Sequence, residues 1–164
     1  MTETPTLTLP AIDPETVEAK RGANYPDEFA GPVKDREKRA LGDALGLGQF
    51  GVNLVTMPPG AISSLRHWHT GEDEFVWVVS GELVLVQDGG ETVLRAGDAA
   101  AFKAGDPDGH HLQNRTSATA SFLVIGTRAT SDTCTYPDVD LINRTDGARN
   151  WFTLRDGTFV KDAS

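Results

Sequence analysis

The chain has 164 residues, a length typical of a single domain with a full hydrophobic core. Its formal net charge of -9 disfavours binding to nucleic acid or to an anionic membrane surface. The one basic cluster, residues 34–39, has acids interleaved with its cations, which predicts a solvated segment rather than a nucleic-acid interface.

The compartment is expected to be the cytoplasm. Met1 to Pro10 lacks a basic start followed by an apolar run, so no signal peptide is predicted. No apolar stretch approaches the roughly 20 residues needed to span a bilayer. Cys134 is the only cysteine, which excludes an intramolecular disulfide and fits a reducing environment.

The predicted elements begin with an N-terminal arm, residues 1–46, that packs on a barrel. One helical turn is predicted near Asp13 to Ala19, with Asp13 as N-cap and Pro14 in the first helical position. Residues 39–48 fit a short helix or a strand that ends in a glycine-rich turn.

Residues 47–128 are predicted to form a β-barrel. Short strands recur at intervals of about 8–12 residues and are separated by glycine-rich turns, which indicates an all-β sandwich or barrel. The predicted strands are Gln49–Met57, Ser63–His69, Glu74–Ser80, Glu82–Gln87, Glu91–Arg95, Ala99–Lys103, His110–Arg115 and Thr119–Thr127.

Residues 129–164 are predicted to form a C-terminal extension with a short hairpin. Its strands would be Trp151–Arg155 and Thr158–Lys161, joined at Asp156 and Gly157.

Two barrel strands are apolar on both faces, Phe75–Val79 and Leu83–Val86. A barrel whose outer face meets water would show alternation instead. The N-terminal arm, the C-terminal hairpin or a second subunit must therefore cover the outer face, and a homodimer is predicted.

All four histidines lie in two short clusters, His67 with His69 and His110 with His111. Residues at i and i+2 of a strand project from one face, so His67 and His69 point the same way. A carboxylate on the next strand would join them. Glu74 is the first candidate, because its neighbours Glu72 and Asp73 fall in a turn where acids are usually solvated. Adjacent strand residues face opposite ways, so only one of His110 and His111 belongs to such a site.

The spacing of these residues resembles the two motifs of the cupin superfamily. Gly60, the His67–His69 pair, Glu74 and Gly81 match the first motif, apart from one extra residue after Gly60. The second motif is matched by Gly97, Gly105, His110 and Asn114. It departs from the family in having Lys103 in place of proline and two extra residues before His110.

The resemblance implies a double-stranded β-helix, or jelly-roll barrel, with one divalent transition metal in its mouth. Zinc, iron, manganese or nickel would suit these donors. The implied metal ligands are His67, His69, Glu74 and His110. Side-chain alternation then predicts that the pocket wall consists of Leu65, Val76, Val78, Leu112 and Asn114.

Three functional hypotheses follow from this pocket. The first is a metal-dependent enzyme that acts on a small organic metabolite, as a dioxygenase, an isomerase or a lyase. The second is a non-catalytic binding or sensor protein, because no second acid near the site in sequence could serve as a general base. The third, a structural or storage role, is weaker because a barrel of this length should fold without metal.

Overall fold

The protein is described by a computed structural model over residues 7–163. This part of the chain is mostly β. Its strands are β1 Ala19–Arg21, β2 Glu37–Ala40, β3 Phe50–Met57, β4 Trp68–His69, β5 Glu74–Ser80, β6 Glu82–Gln87, β7 Gly90–Arg95, β8 Ala99–Phe102, β9 His111–Gln113, β10 Ala120–Thr127, β11 Ser131–Tyr136, β12 Leu141–Asp146, β13 Arg149–Thr153 and β14 Phe159–Asp162. Two short helices, α1 Asp27–Ala30 and α2 Leu41–Ala44, and two 3₁₀ turns, Pro14–Thr16 and Gly31–Val33, complete the list.

The strands form three sheets. A six-stranded sheet has the order β1-β2-β3-β10-β5-β8, and a five-stranded sheet has the order β14-β13-β12-β11-β4. The third sheet has the order β7-β6-β9. From β5 to β10 the chain crosses back and forth between the six-stranded and the three-stranded sheets, as in a double-stranded β-helix, and the prediction of an all-β fold of this type is confirmed.

The main core lies between the six-stranded and the three-stranded sheets. Val55, Phe122 and Val78 are cross-strand neighbours on β3, β10 and β5, and each is at most 3% exposed. Leu83 and Leu112 from the three-stranded sheet belong to the same buried cluster. Burial of such side chains contributes roughly 1.5–3 kcal/mol each.

A second core joins the N-terminal arm to the C-terminal strands. Tyr25 packs edge-on against Tyr136, with ring centroids 5.5 Å apart, and also contacts Phe152. Val33 and Leu141 complete this cluster, and both are fully buried. The arm is therefore held against the five-stranded sheet by aromatic packing.

The structure extends the sequence-based prediction at both ends of the chain. The helical turn is confirmed, since Pro14–Thr16 is a 3₁₀ turn and the Asp13 side chain accepts the Glu15 amide. The prediction missed β1, β2, β11 and β12, so the C-terminal part contains four strands rather than one hairpin. These strands carry charged or threonine-rich sequences that lack a continuous apolar face.

The predicted strand Ser63–His69 is shorter in the structure. Only Trp68–His69 pairs as a strand, while Ile62 and His67 form isolated bridges to Gln113 and His110. Across residues 7–163, no helix is both long and apolar enough to cross a bilayer.

Gly81, between β5 and β6, offers a test of the fold. Its φ is 77°, and a Cβ would lie 2.8 Å from the Ala120 Cβ. Gly60 has a φ of 80° but has nothing within 4 Å of its Cβ position. We expect Gly60→Ala to cost about 1–2 kcal/mol from backbone strain alone. Gly81→Ala should cost roughly 1–3 kcal/mol more from overpacking.

Urea unfolding of the two variants checks this prediction, with Gly60→Ala as the matched control for backbone strain. Equal midpoints for the two variants would contradict the close approach of Gly81 to β10.

Candidate metal centre

Three elements position the candidate ligands. His69 lies in β4, and Glu74 begins β5 after a short turn. His67 and His110 face each other through a bridge in which each backbone amide donates to the other residue's carbonyl, at 3.1 and 2.9 Å. Local pairing thus brings two sequence-distant clusters to one point.

The four side chains converge on a single oxygen. Oε2 of Glu74 lies 2.9 Å from Nε2 of His110, 3.3 Å from Nε2 of His67 and 3.7 Å from Nε2 of His69. Donor atoms around one transition metal, with bonds of about 2.1 Å, lie about 3.0–3.4 Å apart. Among the described residues, His67, Glu74 and His110 offer donor atoms within 4.8 Å of one another and fit a shared cation. Nε2 of His69 lies farther from this set and would have to move closer to become the fourth donor.

Two of the rings are fixed through their other nitrogen. Nδ1 of His67 donates to the Leu65 carbonyl at 2.9 Å, and Nδ1 of His69 donates to Asp132 at 2.6 Å. When Nδ1 is the donor, the lone pair of the neutral ring is on Nε2 and points to the centre. This arrangement is typical of histidines that bind metal.

His110 is oriented by stacking. Its ring lies 3.4 Å from the ring of Phe102 at an interplanar angle of 2°. His111 turns away, and its Nδ1 donates to the Ser64 carbonyl at 3.0 Å. Of the two neighbouring histidines, His110 is the one whose ring faces Glu74.

Electrostatics keep Glu74 ionised. Burial raises its pKa, but nearby His67 and hydrogen bonds from His110 and His67 outweigh burial and hold the pKa well below its ordinary value. Burial also lowers the pKa of His69, yet its bond to Asp132 reverses the effect and raises the pKa to about 11. A cation that binds here must displace the Nε2 proton of His69, so metal binding should release protons.

The predicted wall residues occupy different positions. Val76 and Leu112 line the cavity beside the centre, and Val78 lies deeper in the main core. The Leu65 side chain packs against the second core, and only its carbonyl reaches the centre. Asn114 is buried, and its amide bonds to the Met57 and Ala118 carbonyls and to Thr116, so it anchors the turn before β10.

A cavity of about 190 Å³ opens beside the centre. A cavity needs on the order of 10–15 Å³ to hold one water, so this cavity has room for roughly a dozen non-hydrogen atoms. His67, Glu74 and His110 form one wall, and apolar side chains form much of the rest. Those apolar residues are Val55, Val76, Phe102, Leu112, Phe122 and Val124.

The sequence analysis missed Asp132, which is 6% exposed and lies in β11. Besides His69, its carboxylate accepts the Gly71 amide at 2.8 Å and the Thr70 hydroxyl at 3.3 Å. In the sequence, Asp132, Cys134 and Tyr136 alternate with Ser131, Thr133 and Thr135, and this period of two is a local signal that could have revealed the strand.

Two other donor sets also meet the distance for a shared cation. Cys134 lies close to His67 and His69, while Glu72 and Asp132 lie close to His69, each set within 4.8 Å. We favour the Glu74 set because the Nε2 atoms of all three histidines converge on it, whereas Asp132 contacts Nδ1 of His69.

Asp132→Asn tests the support of His69. The amide can present its NH₂ group to Nδ1 and then favours the wrong tautomer, so we expect a roughly 10- to 100-fold loss of metal affinity with the fold retained. Competition against a chromogenic chelator measures the affinity. Asp138→Asn is the control, because Asp138 contacts Arg66 and none of the candidate ligands. An unchanged affinity in Asp132→Asn would contradict the role of Asp132.

Comparison with a family profile and comparison with solved structures give the same family. The family profile described as Cupin domain matches residues 53–126. A solved structure from Silicibacter pomeroyi, described as a sugar phosphate isomerase from a cupin superfamily, is 46% identical in sequence to this chain, with a TM-score of 0.88. The match covers 94% of this chain and 100% of that chain. The chain belongs to the cupin superfamily.

Further similar solved structures are more distant in sequence. A protein of Acidithiobacillus ferrooxidans provisionally named a sugar phosphate isomerase is 28% identical with a TM-score of 0.69, covering 77% of this cupin and 80% of that chain. A Thermotoga maritima protein described as a predicted oxalate decarboxylase is 21% identical with a TM-score of 0.60, covering 73% and 99%, and supports the fold alone. A search of curated proteins gave no match.

Proposed function

We propose that this cupin is a metal-dependent isomerase of a small sugar-type metabolite. The observation that carries the proposal is the convergence of three imidazole Nε2 atoms on the Glu74 carboxylate, at the wall of a cavity of about 190 Å³. The relative with 46% identity, which is named a sugar phosphate isomerase, favours isomerisation over the dioxygenase and lyase alternatives.

The donor set suits one divalent transition metal, such as zinc, iron, manganese or nickel. His67, His69, Glu74 and His110 would hold it. When bound, the metal would supply Lewis acidity that polarises a substrate carbonyl or hydroxyl oxygen.

The surrounding residues then act on orientation and solvent. Asp132 and the Leu65 carbonyl fix two of the imidazole rings. Phe102 holds the His110 ring by stacking and, with Val76 and Leu112, keeps water from the site. Polar interactions gain strength in such an apolar surround.

The proposal predicts turnover without oxygen. An aldose–ketose isomerisation moves hydrogen from C2 to C1 and between two oxygens, so it needs no oxidant. We expect the protein as purified to contain close to one first-row metal per chain. It should convert an aldose phosphate to the ketose anaerobically, which NMR of the two sugars measures. Chelation should abolish turnover, and the metal should restore it.

Other outcomes reject the isomerase in specific ways. Oxygen consumption that depends on iron(II) would favour a dioxygenase. Saturable binding without any product would favour the alternative of a binding or sensor cupin. A protein without metal would contradict the whole proposal.

We also propose a homodimer through the outer face of the six-stranded sheet. Trp77 is 51% exposed and Phe75 37% exposed on this face, so residues 7–163 leave it largely uncovered. Cross-strand pairing sets Leu123, Ile125 and Ala101 beside them. Of the three covers that the sequence allows, a second copy of the chain is the one we favour, because the same apolar patch on both subunits can pair with itself.

The cytoplasm remains the proposed compartment. A single cysteine, Cys134, is buried and fits a reducing environment.

A further inference from the structure

Strand β2 and the residue just before it bring two cations, Lys38 and Arg36, to the cavity beside the candidate metal centre. Lys38 pairs in register with Val55, which faces the core, and Arg36 precedes Lys38 by two residues. Cross-strand partners share a face of the sheet, and so do residues at i and i+2. Both side chains line the same cavity as His67 and Glu74.

This placement corrects the prediction of a solvated segment for Arg36 and Lys38, whereas Lys34 and Asp35 are exposed as predicted. Glu37 and Arg39 lie on the other face of β2, where they contact Arg21 and Glu15. Strand alternation therefore divides the segment, with Arg36 and Lys38 toward the cavity and Glu37 and Arg39 on the opposite face.

Neither cation has a carboxylate partner among residues 7–163. No ion pair or side-chain hydrogen bond within that range involves Arg36 or Lys38, and Nε of Arg36 is buried without a partner. Arg36 and Lys38 thus face a cavity in which Glu74, the only carboxylate among the described lining residues, already bonds to the histidines.

Burial and mutual repulsion make the charged forms of Arg36 and Lys38 unfavourable in this position. Burial lowers the pKa of Arg36, and burial together with neighbouring Arg36 lowers the pKa of Lys38. An anion between them would remove the unfavourable pairing of like charges and supply the missing hydrogen-bond acceptor.

We propose that Arg36 and Lys38 form an anion subsite that binds a phosphate or carboxylate group of the substrate, while the substrate's oxygens face the histidine cluster. This inference rests on the proposed function, because the anion subsite would make the proposed isomerase specific for an anionic sugar. It assigns specificity to the N-terminal strand, outside the residues that match the family profile.

Inorganic phosphate is the first probe. We expect isothermal titration calorimetry to show about one phosphate bound per chain at roughly millimolar concentration or below. Lys38→Gln and Arg36→Gln should each weaken binding by roughly tenfold or more, because a charge-assisted hydrogen bond is lost. Lys38→Arg should retain binding. Lys34→Gln is the matched control, because Lys34 is an exposed cation of the same segment.

Metal content, measured on every sample, separates this inference from the proposed function. Phosphate binding that is unchanged in both Gln variants, or absent from the wild type, would overturn the anion subsite even if metal and turnover are present. Loss of phosphate binding in the variants at unchanged metal content supports the subsite even if no isomerase activity is found. If Arg36→Gln does not fold, the Lys38→Gln and Lys38→Arg pair decides.

Three sugars then distinguish the source of the anion. Glucose 6-phosphate, gluconate and glucose offer a phosphate, a carboxylate and no charge. If binding of glucose 6-phosphate depends on Lys38, the site binds phosphate. If binding of gluconate depends on Lys38, the site binds carboxylate. Binding of glucose as tight as that of both anions would overturn the proposal.

Discussion

The double variant His67→Ala/His69→Ala is expected to lose all stoichiometric metal and, with it, any isomerase turnover. The two imidazoles supply half of the four donors, and the remaining pair of His110 and Glu74 lies in direct contact at 2.9 Å. Two donors are too few for tight binding of a transition metal, for which three or four are usual. Elemental analysis after gel filtration measures the loss.

The fold should survive this double change. Both side chains lie at the barrel mouth, about 13–15% exposed, and the two buried core clusters contain neither of them. Circular dichroism and thermal unfolding of the variant should therefore resemble those of the wild type. Retention of one metal per chain in a folded double variant would refute the assignment of the centre.

Three single variants sharpen this test. His111→Ala should keep the full metal content, because the His111 ring bonds to the Ser64 carbonyl and lies outside the converging set. Cys134→Ala should also keep it if Glu74 is the fourth donor. Metal loss in Cys134→Ala but not in Glu74→Gln would instead favour the set of His67, His69 and Cys134.

The second large effect is expected at the outer sheet face. Trp77→Lys should convert the proposed dimer into a monomer of 17.6 kDa. A lysine at the centre of an apolar interface would have to lose its hydration without gaining a partner, which costs several kcal/mol. Sedimentation equilibrium gives the mass, and twice the chain mass is expected for the wild type.

Val93→Lys is the control for added surface charge. Val93 is 43% exposed on β7, in the three-stranded sheet, and lies outside the proposed interface. This variant should remain dimeric. A wild-type protein that is monomeric, or a Trp77→Lys variant that stays dimeric, would contradict the interface.

The local pattern was sufficient to predict most strands of the barrel, although β4 and β9 are shorter than predicted. β5 and β6 have the bounds that apolar runs and glycine turns predict, and β3, β8 and β10 differ from prediction by one residue at an end. These strands are bounded by strong turn signals and rich in β-branched or apolar residues, so local propensity and burial agree.

The flanking strands could not be predicted in the same way. β2 and β11 contain charged or polar residues that become strand only because a partner strand accepts their backbone hydrogen bonds. β-propensity depends on the neighbours that a strand meets, and the sequence alone does not name those neighbours.

The sequence by itself determined an all-β chain and named four candidate donor residues, because strand alternation is a local property and the donor spacing resembles the cupin motifs. Only the tertiary structure decided what surrounds them: Asp132 behind His69, Phe102 against His110, and Arg36 with Lys38 inside the cavity. These contacts join segments up to 63 residues apart in the chain, as for His69 and Asp132. Such partners are brought together by sheet pairing and hydrophobic burial, which act over the whole fold rather than along the sequence.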